Sequence, residues 1–257
     1  MKPKLNFRTM GDGPPVIILH GLFGMLDNWI TIGKKLSQEG YMAILIDQRD
    51  HGRSDHTIDF NYNILADDLY RFMEENWIHS AILIGHSMGG KTALQFVADH
   101  TTDIRKLIVI DIGIKSYSGG HEDVFKALLS VDLSIIKARE EAEIAISNIL
   151  HDKGTVQFLL KNLTRNKDGH FVWKMNLPLL FEKYKNILAP ISIDHTCYTD
   201  TLFIKGELSE YINNEDLPDI KQVFPNARFK TIASAGHWVH ADQPDELFKT
   251  IIDFIKD

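Results

Sequence analysis

The sequence predicts an α/β fold: a mostly parallel central sheet with helices on both faces and one helical insertion. Three observations lead there. The apolar runs Val16–Leu19, Met42–Ile46, Ala81–Ile84 and Leu107–Ile110 are short and continuous rather than alternating, as in strands buried on both faces. Segments of helical spacing separate them, so strand and helix alternate along the chain. That alternation stops near Gly113 and resumes near Thr201.

Taken in order, Leu5 to Met10 reads as a short opening strand ended by the turn cluster Gly11-Asp12-Gly13-Pro14-Pro15. Val16–Leu19 runs into the glycine-punctuated loop His20-Gly21-Leu22-Phe23-Gly24, and a helix over about Trp29 to Glu39 follows. Met42–Ile46 leads into the charged loop Asp47 to Asp55, and Ile64, Leu65, Leu69, Phe72 and Met73 mark the next helix. Ala81–Ile84 ends in Gly85-His86-Ser87-Met88-Gly89, and a helical pattern begins at once and runs to about His100. Leu107–Ile110 closes on Asp111. Between residues 113 and 190 three helical faces recur: Phe125, Leu128 and Leu129; Ile144, Ile146 and Ile149; Phe158, Leu159 and Leu163. A turn at Asp168-Gly169 and an extended piece over His170–Asn176 follow. The last units are a strand at Thr201–Lys205, a helix at Leu217–Phe224, a strand at Arg228–Ile232 and a terminal helix over about Pro244–Ile255. The expected division is a core of residues 1–112 and 191–257 with a helical lid of residues 113–190.

Composition bounds the function. With 44% hydrophobic and 25% charged residues the chain is an ordinary globular one, and 257 residues suffice for a large buried core. A net charge of −7 argues against nucleic acid as a partner, which would require a basic face. The single cysteine, Cys197, allows no intramolecular disulfide and points to a reducing compartment. No apolar segment follows the charges of the first six residues, and no run reaches the length of a membrane span. A soluble cytoplasmic protein is therefore expected.

The chemistry concentrates at predicted strand ends. Strand, one-residue turn and helix around Gly85-x-Ser87-x-Gly89 is the nucleophile elbow, which stands a serine hydroxyl at the C-terminal edge of a parallel sheet. A serine hydroxyl needs an adjacent base. Of twelve histidines, His237 in Ala235-Gly236-His237-Trp238 follows the last strand and falls at the same edge. His240 and His86 read as packing residues. The acid that orients the base has candidates at two strand ends: Asp111, directly after four apolar residues, and Glu207 or Glu210 after Phe203-Ile204-Lys205, where the position three residues past Gly206 is Ser209. Asp111 is the preferred reading. An oxyanion requires preorganised donors, here the Met88 amide and the Phe23 amide of the loop after the first buried strand. Phe23, Met88, Met175, Trp173 and Trp238 are candidates for lining a substrate pocket. The loop Asp47–Asp55 fits bracing of the sheet edge. No histidine, carboxylate or glycine spacing matches a metal site, phosphate loop or dinucleotide fingerprint, so neither metal nor cofactor is expected.

His20–Gly24, Asp47-x-Arg49-x-His51-Gly52-x-Ser54, Gly85–Lys91, Asp111-Ile112 and Gly236–His240 together resemble the α/β-hydrolase superfamily over nearly the full length. They are most similar to its small esterase and thioesterase branch, the YbfF-type and abhydrolase-domain-11 proteins. The resemblance implies an α/β-hydrolase fold, a small-molecule ester or acyl thioester substrate, and no cofactor. It also supports Asp111 as the acid, because that branch carries a serine where Ser209 stands. Gly113-Ile114 departs from the Ala-Pro found there, at the lid hinge. Carbon–carbon bond hydrolases and cofactor-free haloperoxidases share the same three residue types, and a non-catalytic binding protein on this fold is the reading from another class.

Overall fold

A computed structural model describes residues 2–100 and 103–257; Met1 and the pair Thr101-Thr102, just past the expected end of the elbow helix, lie outside the described residues. The strands of the main sheet are β1 (Phe7–Met10), β2 (Pro15–Leu19), β3 (Met42–Ile46), β4 (Ala81–His86), β5 (Ile104–Ile110), β8 (Asp200–Gly206) and β9 (Arg228–Ile232). They lie in the order β1-β3-β2-β4-β5-β8-β9. Every pairing is parallel except β1 with β3, so the antiparallel strand sits at one edge. β2, β3, β4 and β5 are almost wholly buried, as their uninterrupted apolar runs require. β1 is exposed and short, which suits an edge.

Helices cover both faces. On one side α1 (Ile30–Gln38) and α10 (Pro244–Lys256) pack Ile32, Leu36, Leu247 and Ile251 against Ile18, Ile84 and Ile110. On the other, α2 (Tyr62–Glu75), α3 (Met88–Asp99) and α9 (Leu217–Val223) pack Leu69, Phe96 and Ile220 around Leu83, Val109 and Phe203. Period two along the strands sends alternate side chains into these two cores. Parallel order brings the C-terminal ends of β2, β4, β5 and β8 to one edge, and each loop singled out in the sequence leaves from that edge.

Between β5 and β8 the chain forms α4 (Glu122–Leu129), α5 (Arg139–Ser147), α6 (Lys153–Leu160), α7 (Leu177–Glu182) and α8 (Tyr184–Leu188). It also forms a hairpin of β6 (Leu163–Arg165) and β7 (Phe171–Trp173), which corrects the helical placement of Leu163. α6 ends at Leu160, and the Asn166–Gly169 turn closes the hairpin instead.

Lys91, one turn into α3, joins this segment to the core. It is 1% exposed, and its Nζ donates to the carbonyls of Lys115 and Ala189, where the segment leaves and rejoins the sheet. The rings of Tyr62 and Tyr117 flank the ammonium at 5.6 and 4.8 Å. Burial pulls its pKa down to about 7. Further ties run from Tyr62 Oη to the Ile187 carbonyl (2.6 Å) and from Asn176 Nδ2 to Asp50 Oδ1 (2.9 Å).

Candidate active site

The turn at Ser87 is built by glycine. Ser87 has φ 52° and ψ −120°, and its N–H donates to the Ile110 carbonyl (2.9 Å). A Cβ at Gly85 would lie 2.2 Å from the Gly89 carbonyl oxygen, and one at Gly89 would lie 2.4 Å from that of Leu19. Larger residues cannot stand there, so strand and helix cross close enough to hold the serine in a strained conformation. Phe23 (φ 60°) and Asp111 (φ 53°) are also in the left-handed region. Such residues cost about 1–3 kcal/mol each and persist only where the surroundings over-determine them.

Three side chains converge. Ser87 Oγ lies 2.9 Å from His237 Nε2, and His237 Nδ1 lies 2.7 Å from Asp111 Oδ2. Asp111 is fully buried. Its Oδ1 accepts from the Gly206 N–H (3.0 Å), and Oδ2 accepts from the Ser209 hydroxyl as well. With only donors around it, the carboxylate fixes the Nδ1–H tautomer of His237 and leaves Nε2 as the acceptor for the serine proton. Tyr211 stacks on the imidazole at 4.0 Å, and His86 donates from Nε2 to the His237 carbonyl (2.8 Å). Sequence reasoning left Tyr211 and the donor role of Ser209 unseen; Ser209 was visible as a hydroxyl where a carboxylate could have stood. Glu207 and Glu210 are exposed, and Glu207 accepts from the Ser234 N–H instead.

The Met88 amide opens α3, so it is one of the unpaired N–H groups of a helix start. The loop after β2 departs from expectation. Gly24 N–H closes a turn onto the Gly21 carbonyl (2.9 Å), and the Phe23 N–H, the expected oxyanion donor, points to His51 Nε2 at 3.3 Å. No described residue accepts from the preceding amide, Leu22. The physical reason is the positive φ at Phe23, which turns its amide away toward the Asp47–Asp55 loop. That loop is braced within itself and against its neighbours: Asp47 accepts from the amides of Arg53 (2.9 Å) and Leu26 (2.7 Å), and Arg49 pairs with buried Asp68 through two nitrogens.

A cleft enclosing about 520 Å³ of non-atom space, its solvent-open part included, lies over Ser87 and His237. Phe23, Trp29 and Trp238 line it from the core, and His121, Val124 and Phe158 from the inserted segment. Of the other pocket candidates, Met88 is outside the lining and its side chain enters the core. Met175 is buried in that same core. Trp173 lies on β7 paired with Leu163, outside the lining.

Three further histidines sit beneath the site. Burial lowers His20 to about 4, His51 to about 3, and His86 well below its ordinary value of 6.5. Their folded pKa values are depressed, so the unfolded chain takes up protons first as pH falls. Their contribution to stability is complete above about pH 7 and is lost as pH drops below 6.5, at about 1.4 kcal/mol per unit each, or roughly 4 kcal/mol per unit together. Against a typical stability of about 5–15 kcal/mol, acid unfolding followed by circular dichroism should have its midpoint between about pH 4 and 5.5. A chain still folded at pH 3.5 would contradict this.

Among the described residues no group of histidine, cysteine and carboxylate is arranged to hold a metal ion, and no helix is long and apolar enough to cross a membrane.

Residues 14–135 match the model of the alpha/beta hydrolase fold family. The chain is 35% identical to Esterase YbfF of Escherichia coli over 263 residues, covering 99% of this chain and 100% of that one. It is 34% identical to the sn-1-specific diacylglycerol lipase ABHD11 of Danio rerio over 258 residues, 97% of this chain and 81% of that one. Among solved structures, a marine microorganism esterase superposes with a TM-score of 0.95 at 42% identity, covering 98% and 99% of the two chains.

Proposed function

Because the chain belongs to the α/β-hydrolase family, in the branch of YbfF and ABHD11, we propose that it is a serine hydrolase cleaving carboxylic esters or acyl thioesters. What carries this reading is the hydrogen-bonded relay from Ser87 through His237 to Asp111 at the foot of a mostly apolar cleft. His237 Nε2 takes the Ser87 proton as Oγ attacks the acyl carbonyl carbon. The resulting oxyanion is met by the Met88 amide and by the turn Gly21–Gly24, where Leu22 has the uncommitted N–H. Asp111 stabilises the imidazolium that forms. Collapse of the intermediate expels the alcohol or thiol, which receives its proton from His237. Water activated by the same nitrogen then releases the acid and restores Ser87. The helical segment 113–190 acts as a lid whose inner face, with Phe158 and Val124, meets the acyl or leaving group.

The test is a substrate panel on the purified chain: p-nitrophenyl esters of increasing acyl length, acyl-CoA thioesters, and a vinylogous diketone for carbon–carbon cleavage. Turnover of esters, of thioesters or of both, with the diketone inert, is expected. Turnover of the diketone alone, or of nothing in the panel, would overturn the proposal.

A further inference from the structure

We infer that Asn162, in the lid segment, is a positioning residue for the oxyanion turn: with His51 it clamps the backbone of Phe23, so that docking of the lid sets the donor geometry beside Ser87. The inference rests on the proposed function and names a device within that same site.

The Gly21–Gly24 turn is closed by a backbone bond and has φ 60° at its third residue, the type II pattern. That position favours glycine or asparagine, and here it holds phenylalanine. The competing type I turn relieves the positive φ by rotating the central Leu22–Phe23 peptide, which would take the Phe23 N–H off His51 and release the turn that carries the Leu22 amide beside Ser87. Two contacts hold the peptides on either side of Phe23, one on its N–H and one on its carbonyl, so that neither can turn to relieve the positive φ. Phe23 N–H donates to His51 Nε2, and His51 is anchored by its own Nδ1–H on the Arg49 carbonyl (3.0 Å). Buried and held neutral, His51 presents Nε2 as a permanent acceptor. On the far side, the Phe23 carbonyl accepts from Asn162 Nδ2 at 2.8 Å.

Asn162 is shaped for this contact. It is fully buried between α6 and β6, and its carbonyl accepts from the Lys174 N–H of the hairpin (2.8 Å), which fixes its backbone. Its Nδ2 also lies 3.3 Å from the Leu159 carbonyl. Both neighbours are acceptors, so the amide can face them only with its nitrogen. That leaves Oδ1 buried without a donor. An unmade buried acceptor costs about 1–3 kcal/mol, which an apolar residue of the same size would avoid. The side chain holds a contact at the oxyanion turn at the expense of its own second polar atom. Since Asn162 belongs to the lid and Phe23 to the core, the bond exists only while the lid is docked.

The experiment compares Asn162→Leu, close in volume but without a donor, with Asn162→Ala, on p-nitrophenyl butyrate. Both variants should keep a cooperative melting transition. Each should show kcat lowered roughly 10- to 100-fold, below the 10²–10³ of losing an oxyanion donor outright, and KM within about twofold. Inhibition by an alkyl boronic acid, which mimics the tetrahedral adduct, should weaken by the same factor as kcat. A purely structural role would not produce that parallel. Wild-type kcat in a folded variant, with Ser87→Ala inactive, would overturn the role of Asn162. Wild-type turnover by Ser87→Ala would instead overturn the underlying reading of the site.

Discussion

Asp111→Asn is expected to lower kcat on p-nitrophenyl butyrate by about 10³–10⁴ at pH 7 with the fold retained. The carboxylate is surrounded by donors: the Gly206 amide on Oδ1, the Ser209 hydroxyl and His237 Nδ1–H on Oδ2. An asparagine must turn its NH₂ toward one side. Facing Gly206, it sets an N–H against the Gly206 N–H, two donors with no acceptor between them. Facing His237, it forces Nδ1 to accept, which moves the ring proton to Nε2 and removes the base from Ser87. The first arrangement leaves His237 with a neutral acceptor that no longer stabilises the imidazolium, the second removes the base, and neither opens a cavity. Glu207→Gln and Glu210→Gln should stay within about twofold of wild type, since both residues are exposed and His237 Nδ1 is already held by Asp111. Wild-type kcat in Asp111→Asn, or a large loss in Glu210→Gln, would reassign the acid.

The middle of the sheet was legible because β2, β3, β4 and β5 bury both faces and show as continuous apolar runs, and each run ends in a residue type that an apolar strand would not carry. Ser87 and Asp111 stand out for that reason, His237 by its place in the loop after the last strand, and the parallel order of β4, β5, β8 and β9 brings their loops to one edge. The hairpin Leu163–Trp173 was less legible, since three-residue strands have too few side chains to show a period. The direction of the Phe23 N–H could not be read at all: it depends on a positive φ at a phenylalanine and on His51, 28 residues away. Asn162 belongs to no pattern, and its partner lies 139 residues distant. Trp173 was read by size alone, and size does not report which face of a hairpin meets a cleft.

Ser87→Ala is expected to have the largest effect of any single substitution, a loss in kcat of about 10⁵–10⁶. The nucleophile has no substitute: His237 Nε2 is its hydrogen-bond partner, and its strained backbone aims the hydroxyl into the cleft. Removing one oxygen from a side chain only 6% exposed should leave the melting temperature within a few degrees, so loss of turnover reports chemistry rather than folding. The most direct measurement is reaction with a fluorophosphonate followed by mass mapping of the adduct. A single adduct per chain on the peptide holding Ser87, absent in Ser87→Ala and slowed strongly in His237→Ala, is the result expected. No adduct on the folded wild-type chain, or an adduct on a different residue, would contradict a serine-based mechanism.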